Sequence, residues 1–212
     1  MRKKHNDIRR LLVQEAARLM FEEGVSQYLD AKKKAAKRIL GRQIKNLPSN
    51  GEISDELYRL ATFHQGDARN DTLFEMRLLA MEVMEQLSEF SPGLIGSVST
   101  GRIRKGSDID LHLFTDSLET VQNRIEELRW EYEIKQVWIQ KNGQNTEYNH
   151  IYVDLNYPVE LSVYPLNDIR IRSRSSTDGK PIERLKVARV RELIMSEHAE
   201  AWEKYLAEDN LE

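Results

Sequence analysis

Gly96-Ser97-Val98-Ser99-Thr100-Gly101-Arg102-Ile103-Arg104-Lys105-Gly106-Ser107-Asp108-Ile109-Asp110-Leu111 is the stretch on which the reading of this chain turns. It runs on into His112-Leu113-Phe114, and from Asp108 onward polar and apolar residues alternate with a period of two, which predicts a strand. Two acids at that spacing project from one face, ~6.5–7 Å apart along it. Paired oxygen ligands of this kind suit Mg²⁺ or Mn²⁺, which bind one or two carboxylates together with substrate phosphates. Ile109, Leu111 and Leu113 supply the opposite, apolar face. Upstream, Gly96-Ser97 closes a short apolar run that begins at Leu94 and is read as a strand to Val98. A glycine there lets backbone approach a ligand, and Ser97 offers a hydroxyl and an N–H to a phosphate oxygen. Gly101 and Gly106 let the intervening loop bend. A lone Gly-Ser is ordinarily a turn and a lone Asp-x-Asp a solvated strand edge; the block carries the signal.

Outward from this stretch, periodicity changes. Before Pro92 the apolar residues fall at helical spacing, in four segments: Ile8 to Met20, Val25 to Leu40, Ser49 to about Gly66, and Asp71 to Glu89. Ser49 and Glu52 have capping-box spacing. After Phe114, Thr115-Asp116 caps a helix to Trp130, and strands follow at Ile134–Gln140, Ile151–Asn156 and Val159–Tyr164. Asn142-Gly143 is a hairpin turn signal. Asp168 to Lys180 reads as an Arg-rich loop carrying Arg170, Arg172 and Arg174, and a last helix as Ile182 to Leu206. The class is α+β: an all-helical region over 1–90 packed on the core, a sheet core over 91–180, and a C-terminal helix with an acidic tail over 181–212.

Composition narrows the function. The 212 residues carry 32 basic and 35 acidic side chains, a net charge of -3, and no cysteine. Disulfides, thiolate zinc sites and cysteine nucleophiles are therefore excluded. No apolar run approaches the ~20 residues that span a bilayer, and no leader-like stretch follows the charged start. The expected setting is cytoplasmic, with no membrane partner. Arg102-Ile103 stands where a P-loop needs Lys-Ser/Thr, and no Gly-x-Gly-x-x-Gly occurs. Residues 1–46 hold thirteen Lys and Arg against five acids, a local +8. This is a solvated face, or a surface for phosphates.

The block resembles the nucleotidyltransferase superfamily typified by DNA polymerase beta. That family's signature is an apolar residue, Gly-Ser or Gly-Gly, about ten residues, then Asp-apolar-Asp-apolar. Here it is matched by Ile95, Gly96, Ser97, ten residues, then Asp108, Ile109, Asp110 and Leu111. The resemblance carries motifs over roughly 90–165. It implies a small mixed sheet with helices, a divalent metal (Mg²⁺ or Mn²⁺) at Asp108 and Asp110, and transfer of a nucleoside monophosphate from an NTP such as ATP. The acceptor stays open: a small molecule, RNA or a protein. Gly96, Ser97 and Ser107 would sit by the triphosphate; Arg102, Arg104 and Lys105 could neutralise its charge or serve loop solubility. The family's third carboxylate falls on a later strand, where Glu160 is preferred and Asp154 is the alternative. If the hairpin turns at Tyr157, these two face each other. His112 is read as packed or solvated beside the acids, and His5, His64, His150 and His198 have no metal-ligand spacing. The competing reading is a catalytically quiet nucleotide-binding or RNA-associated module of the same fold.

Overall fold

The computed structural model describes residues 2–141, 144–171, 173–175 and 179–209. The Asn142-Gly143 turn, Arg172 and the end of the acidic tail lie outside the described residues, as do the side chains of His5 and His64. The chain is α+β, with helices over its first part and a five-stranded mixed sheet after them. It forms two compact units: Met1–Asp67 with Arg174–Pro181, and Ala68–Ser173 with Ile182–Glu212. No described helix is long and apolar enough to cross a membrane.

The first unit is built from α1 (Arg2–Glu22), α2 (Tyr28–Leu40) and the start of α3 (Asn50–Gln86). Small residues let these helices approach closely: Ala16, Ala17, Ala31, Ala35 and Ala36 are fully buried beside Leu12, Leu19, Ile53 and Leu57. The capping box forms as the spacing predicts. The Ser49 N–H donates to Glu52 Oε2 at 2.7 Å, and the Glu52 N–H donates to Ser49 Oγ at 3.2 Å. Arg9 grips the same carboxylate with two hydrogen bonds of 2.6 Å.

The sequence splits α3 into two helices with a gap between Gly66 and Asp71. The break is confined to Gly66, whose φ of 27° and ψ of -112° are non-helical, and helix resumes at once. The division between units follows directly after it. The segment from Ala68 on belongs with the sheet, where Leu73, Met76, Ala80, Val83 and Leu87 are buried in its core. The sequence draws its boundary near residue 90 instead.

The second unit carries β1 (Gly93–Ile95), α4 (Gly96–Thr100), β2 (Ile109–Phe114), α5 (Leu118–Glu127), β3 (Tyr132–Lys141), β4 (Gln144–Asp154), β5 (Pro158–Tyr164), α6 (Val187–Glu197) and α7 (Ala199–Asp209). Strand order is β1-β2-β5-β4-β3, with β2 and β5 parallel and every other pair antiparallel. Ile109, Leu111 and Leu113 of β2 share the sheet's core face with Leu161 and Val163 of β5 and Ile151 and Val153 of β4. The alternate residues, Asp110, His112 and Phe114 with Glu160, Ser162 and Tyr164, line the other face.

Local departures from the sequence reading have local causes. The apolar run at Leu94 leaves the sheet at Ile95, because Gly96 takes a φ of 73° and opens α4. The helix expected to start at Thr115-Asp116 is capped by Ser117, whose side chain accepts the Thr120 N–H. The Asp116 carboxylate instead accepts the Leu166 N–H at 3.1 Å. Leu166–Arg170 is a short 3-10 turn that begins before the expected loop and runs into it. The last helix is two helices, and Ile182–Lys186 is not part of either. Leu185 there exchanges backbone hydrogen bonds of 2.9 Å with Leu94, which ties up the groups a helix would need. His198, with φ -135° and ψ 41°, separates α6 from α7.

Candidate active site

The sheet brings three acids to one place. β2 and β5 run parallel with Asp110 opposite Glu160, while β1 places Ile95 opposite Asp110 on the other side. Asp108 precedes β2 by one residue rather than lying in it. Ligand oxygens of Asp108, Asp110 and Glu160 all lie within 4.8 Å of one another.

Gly96 is the seat of this cluster. A Cβ on it would stand 2.1 Å from Asp110 Oδ2, and its positive φ disfavours any side chain. Backbone of the Gly96-Ser97 step is therefore pressed against the chain's own Asp110 carboxylate, whereas the sequence reading assigns this glycine to the approach of a ligand. The short α4 then ends at Gly101, and Arg102 donates its N–H to Ser97 O at 2.8 Å. Two arginines of α3 fix this turn from behind. Arg77, 1% exposed, donates from Nε to Val98 O at 3.3 Å and from Nη1 to Glu197 at 2.8 Å. Arg69 donates to Gly101 O, and to Ile103 O at 3.2 Å.

The electrostatics of the acids diverge. Burial, then the charges of Asp108 and Glu160, push the Asp110 carboxyl up to about 7. Glu160 is held below the usual carboxylate range, first by its hydrogen bond from His150, then by contacts with Tyr152 and Ser162. His150 Nδ1 lies 2.6 Å from Glu160 Oε1. Two acids facing a third in a half-buried space repel one another, and a divalent cation reverses that repulsion. Three carboxylates form an all-oxygen donor set that fits a hard cation such as Mg²⁺ or Mn²⁺.

Asp154 is not in the cluster. The β4–β5 hairpin pairs Asp154 with Pro158 and Tyr152 with Glu160, so its loop is the three residues Leu155-Asn156-Tyr157. A turn centred on Tyr157 would have set Asp154 against Glu160; centred on Asn156, it leaves Asp154 exposed at the strand end. Ser107 Oγ accepts the Arg104 N–H at 2.9 Å, closing a turn just before Asp108. Arg102, Arg104 and Lys105 are exposed on the same loop. Of the loop arginines, Arg170 is exposed at the end of the 3-10 turn, and Arg174 donates to Gly179 O at 2.8 Å.

His112 is packed, at 3% exposure. Arg184 donates from Nε to its Nδ1 at 3.0 Å, its ring lies 4.7 Å from that of Tyr164, and burial pushes it down to about 4. His150 and Tyr152 are the site residues that sequence spacing passes over. Their signal is alternation, which puts both on the Glu160 face, and register, since the three-residue loop sets Tyr152 opposite Glu160 and His150 opposite Ser162.

No protein-family model matches this chain, and no curated protein does. Among solved structures, the chain is similar to one described as "structure of GLD-2/RNP-8 complex", at 17% identity and a TM-score of 0.30. The match covers 56% of this chain and about half, 49%, of that one.

Proposed function

We propose that the chain is a metal-dependent nucleotidyltransferase that moves a nucleoside monophosphate from an NTP to an acceptor. The observation that carries this reading is the convergence of Asp108, Asp110 and Glu160 within 4.8 Å beside a glycine whose missing side chain gives Asp110 its room. Asp108, Asp110 and Glu160 would hold Mg²⁺ or Mn²⁺. When bound, such an ion neutralises triphosphate charge and stabilises in-line displacement at phosphorus. The chain's own groups do the rest. Ser97 presents its hydroxyl and N–H to phosphate oxygens from a turn held by Arg77 and Arg69. Arg102 and Lys105 bring positive charge to the leaving side of the triphosphate. The acceptor oxygen bonds to the α-phosphorus, the bond from that phosphorus to the bridging oxygen breaks, and pyrophosphate leaves. The acceptor's proton passes to a carboxylate of the cluster.

The local +8 of residues 1–46 favours an anionic acceptor, such as RNA or a nucleotide, over a cationic one. The test is incubation with each α-labelled NTP, with and without Mg²⁺ or Mn²⁺, scoring pyrophosphate release and label on added RNA or on protein. Metal-dependent release supports the reading. NTP binding with no release under any condition would replace it with a quiet nucleotide-binding module.

A further inference from the structure

His150 lies in mid-β4 opposite Ser162 of β5, at 9% exposure. Its Nδ1 meets Glu160 Oε1 at 2.6 Å, and Ser162 Oγ donates to the same oxygen at 3.5 Å. A carboxylate can only accept, so Nδ1 carries a proton. Nε2 is buried with no hydrogen-bond partner among the described residues. A buried polar atom left unmatched costs free energy that an apolar side chain of the same size would avoid. Packing therefore does not account for an imidazole here, whereas the Nδ1 contact does.

Oε1 thus has two donors aimed at it from within the sheet, Tyr152 hydrogen-bonds the same carboxylate, and Glu160 needs only one oxygen to join the acid cluster. The distinction matters for ion choice. Ca²⁺ takes six to eight oxygens and commonly uses both oxygens of a carboxylate, while Mg²⁺ and Mn²⁺ sites accept one oxygen per carboxylate in octahedral geometry. We infer that His150 is a positioning residue that reserves Glu160 Oε1, confines Glu160 to single-oxygen ligation, and so selects Mg²⁺ and Mn²⁺ over Ca²⁺. This rests on the metal site proposed above. His150 acts through Glu160 and touches no reacting atom, in the way that outer-shell groups orient ligands.

The experiment is Mn²⁺ binding to the full chain, followed by the electron paramagnetic resonance of free Mn²⁺, with Ca²⁺ as competitor. Wild type, His150→Asn, His150→Gln and His150→Phe are compared, and thermal unfolding without metal reports on the fold of each. Asparagine keeps an N–H near the Nδ1 position; glutamine carries its amide to the Nε2 position; phenylalanine has neither. The expected result is a Ca²⁺/Mn²⁺ affinity ratio raised about tenfold in the Phe and Gln variants and restored in the Asn variant. A folded Phe variant with the wild-type ratio overturns the inference, and so do equal ratios in the Asn and Gln variants should the Phe variant not fold. These outcomes leave the metal site standing. Failure of wild type to bind Mn²⁺ at all removes the metal site and the inference together.

Discussion

The helical unit and the acid cluster of the sheet unit use carboxylates in opposite ways. In the helical unit acids meet cations: Glu52 is gripped by Arg9, while Arg18 lies 2.9 Å from Glu15 and Arg38 lies 2.7 Å from Glu23. Each of those carboxyls is held low, Glu52 at about 2, with an arginine hydrogen bond as the first cause. In the sheet unit Asp110 faces Asp108 and Glu160, and its carboxyl rises to about 7. The first arrangement stabilises the fold as it stands. The second opposes the fold through like-charge repulsion, which a bound divalent cation would reverse.

The largest expected effect is at the centre of that contrast. Asp110→Asn removes a ligand while keeping its volume, so NTP-dependent pyrophosphate release should fall by on the order of 10³-fold. The same change relieves like-charge repulsion and should raise the metal-free melting temperature at pH 8. A variant that loses activity and also loses metal-free stability would mean Asp110 is an ordinary structural acid. Next comes Gly96→Ala. Its Cβ would collide with Asp110 Oδ2, at a φ that alanine avoids. Release should fall by roughly 10²-fold, with a stability loss of ~1–3 kcal/mol, measured by steady-state assay and denaturant unfolding.

Legibility in the sequence followed distance along the chain. Gly96, Ser97, Asp108 and Asp110 lie within one fifteen-residue stretch, so period and spacing suffice to read them. Glu160 lies fifty residues beyond Asp110, and choosing it over Asp154 depends on whether the hairpin turns at Tyr157 or Asn156. Alternation fixes faces, while loop length fixes register, and nothing in Asp154 to Pro158 announces a three-residue loop. His150 is a lone histidine in a strand and acquires meaning only through that register. Arg69 and Arg77 hold carbonyls of Val98, Gly101 and Ile103 from α3, contacts between segments over twenty residues apart, for which side-chain pattern has no signature. The helical unit was more legible, since Ser49 and Glu52 signal a cap at short range. Gly66 and His198 show the converse: the sequence pattern places the first break at Gly66 but overstates it as a gap to Asp71, and it foresees no break at the second.

The pH dependence of the metal-free protein sharpens the contrast at a smaller scale. Asp110 has a folded value of about 7 against an ordinary 3.8, so the folded state holds an extra proton between them. Its contribution is present below the ordinary value and is lost as pH rises through about 7. His112 runs the other way, with a folded value of about 4 against an ordinary 6.5. Its contribution is present above 6.5 and is lost as pH falls through about 4. Each slope is at most about 1.4 kcal/mol per pH unit, and between pH 4 and 6.5 the two oppose. Unfolding free energy of wild type should therefore vary little there and fall from 6.5 to 7. In Asp110→Asn it should rise with pH over 4–6.5. Parallel profiles for the two proteins would show that Asp110 does not carry the proton. Added Mg²⁺ should stabilise wild type more at pH 8 than at pH 5, because it competes with that proton.

The smallest effect tests the other half of the comparison. Glu52 accepts two bonds from Arg9 and two from Ser49, yet Arg9 and Glu52 side chains remain 33% and 38% exposed, so solvent screens much of the pair. Glu52→Gln keeps an acceptor for the Ser49 N–H and removes the charge. The cost should be ~0.5–1 kcal/mol by denaturant unfolding, and a double-mutant cycle with Arg9→Gln should assign most of it to the pair. The Glu52 contribution is present above an ordinary 4.5 and is lost as pH falls through about 2. The stability difference between wild type and variant should therefore shrink below pH 4 and also in 1 M salt. Metal should leave that difference unchanged, because Glu52 is held by Arg9 and Ser49 and is not one of the three clustered acids. A variant as stable as wild type at pH 7 would reduce the Arg9–Glu52 contact to a solvated surface pair, and the cap alone would then account for the start of α3.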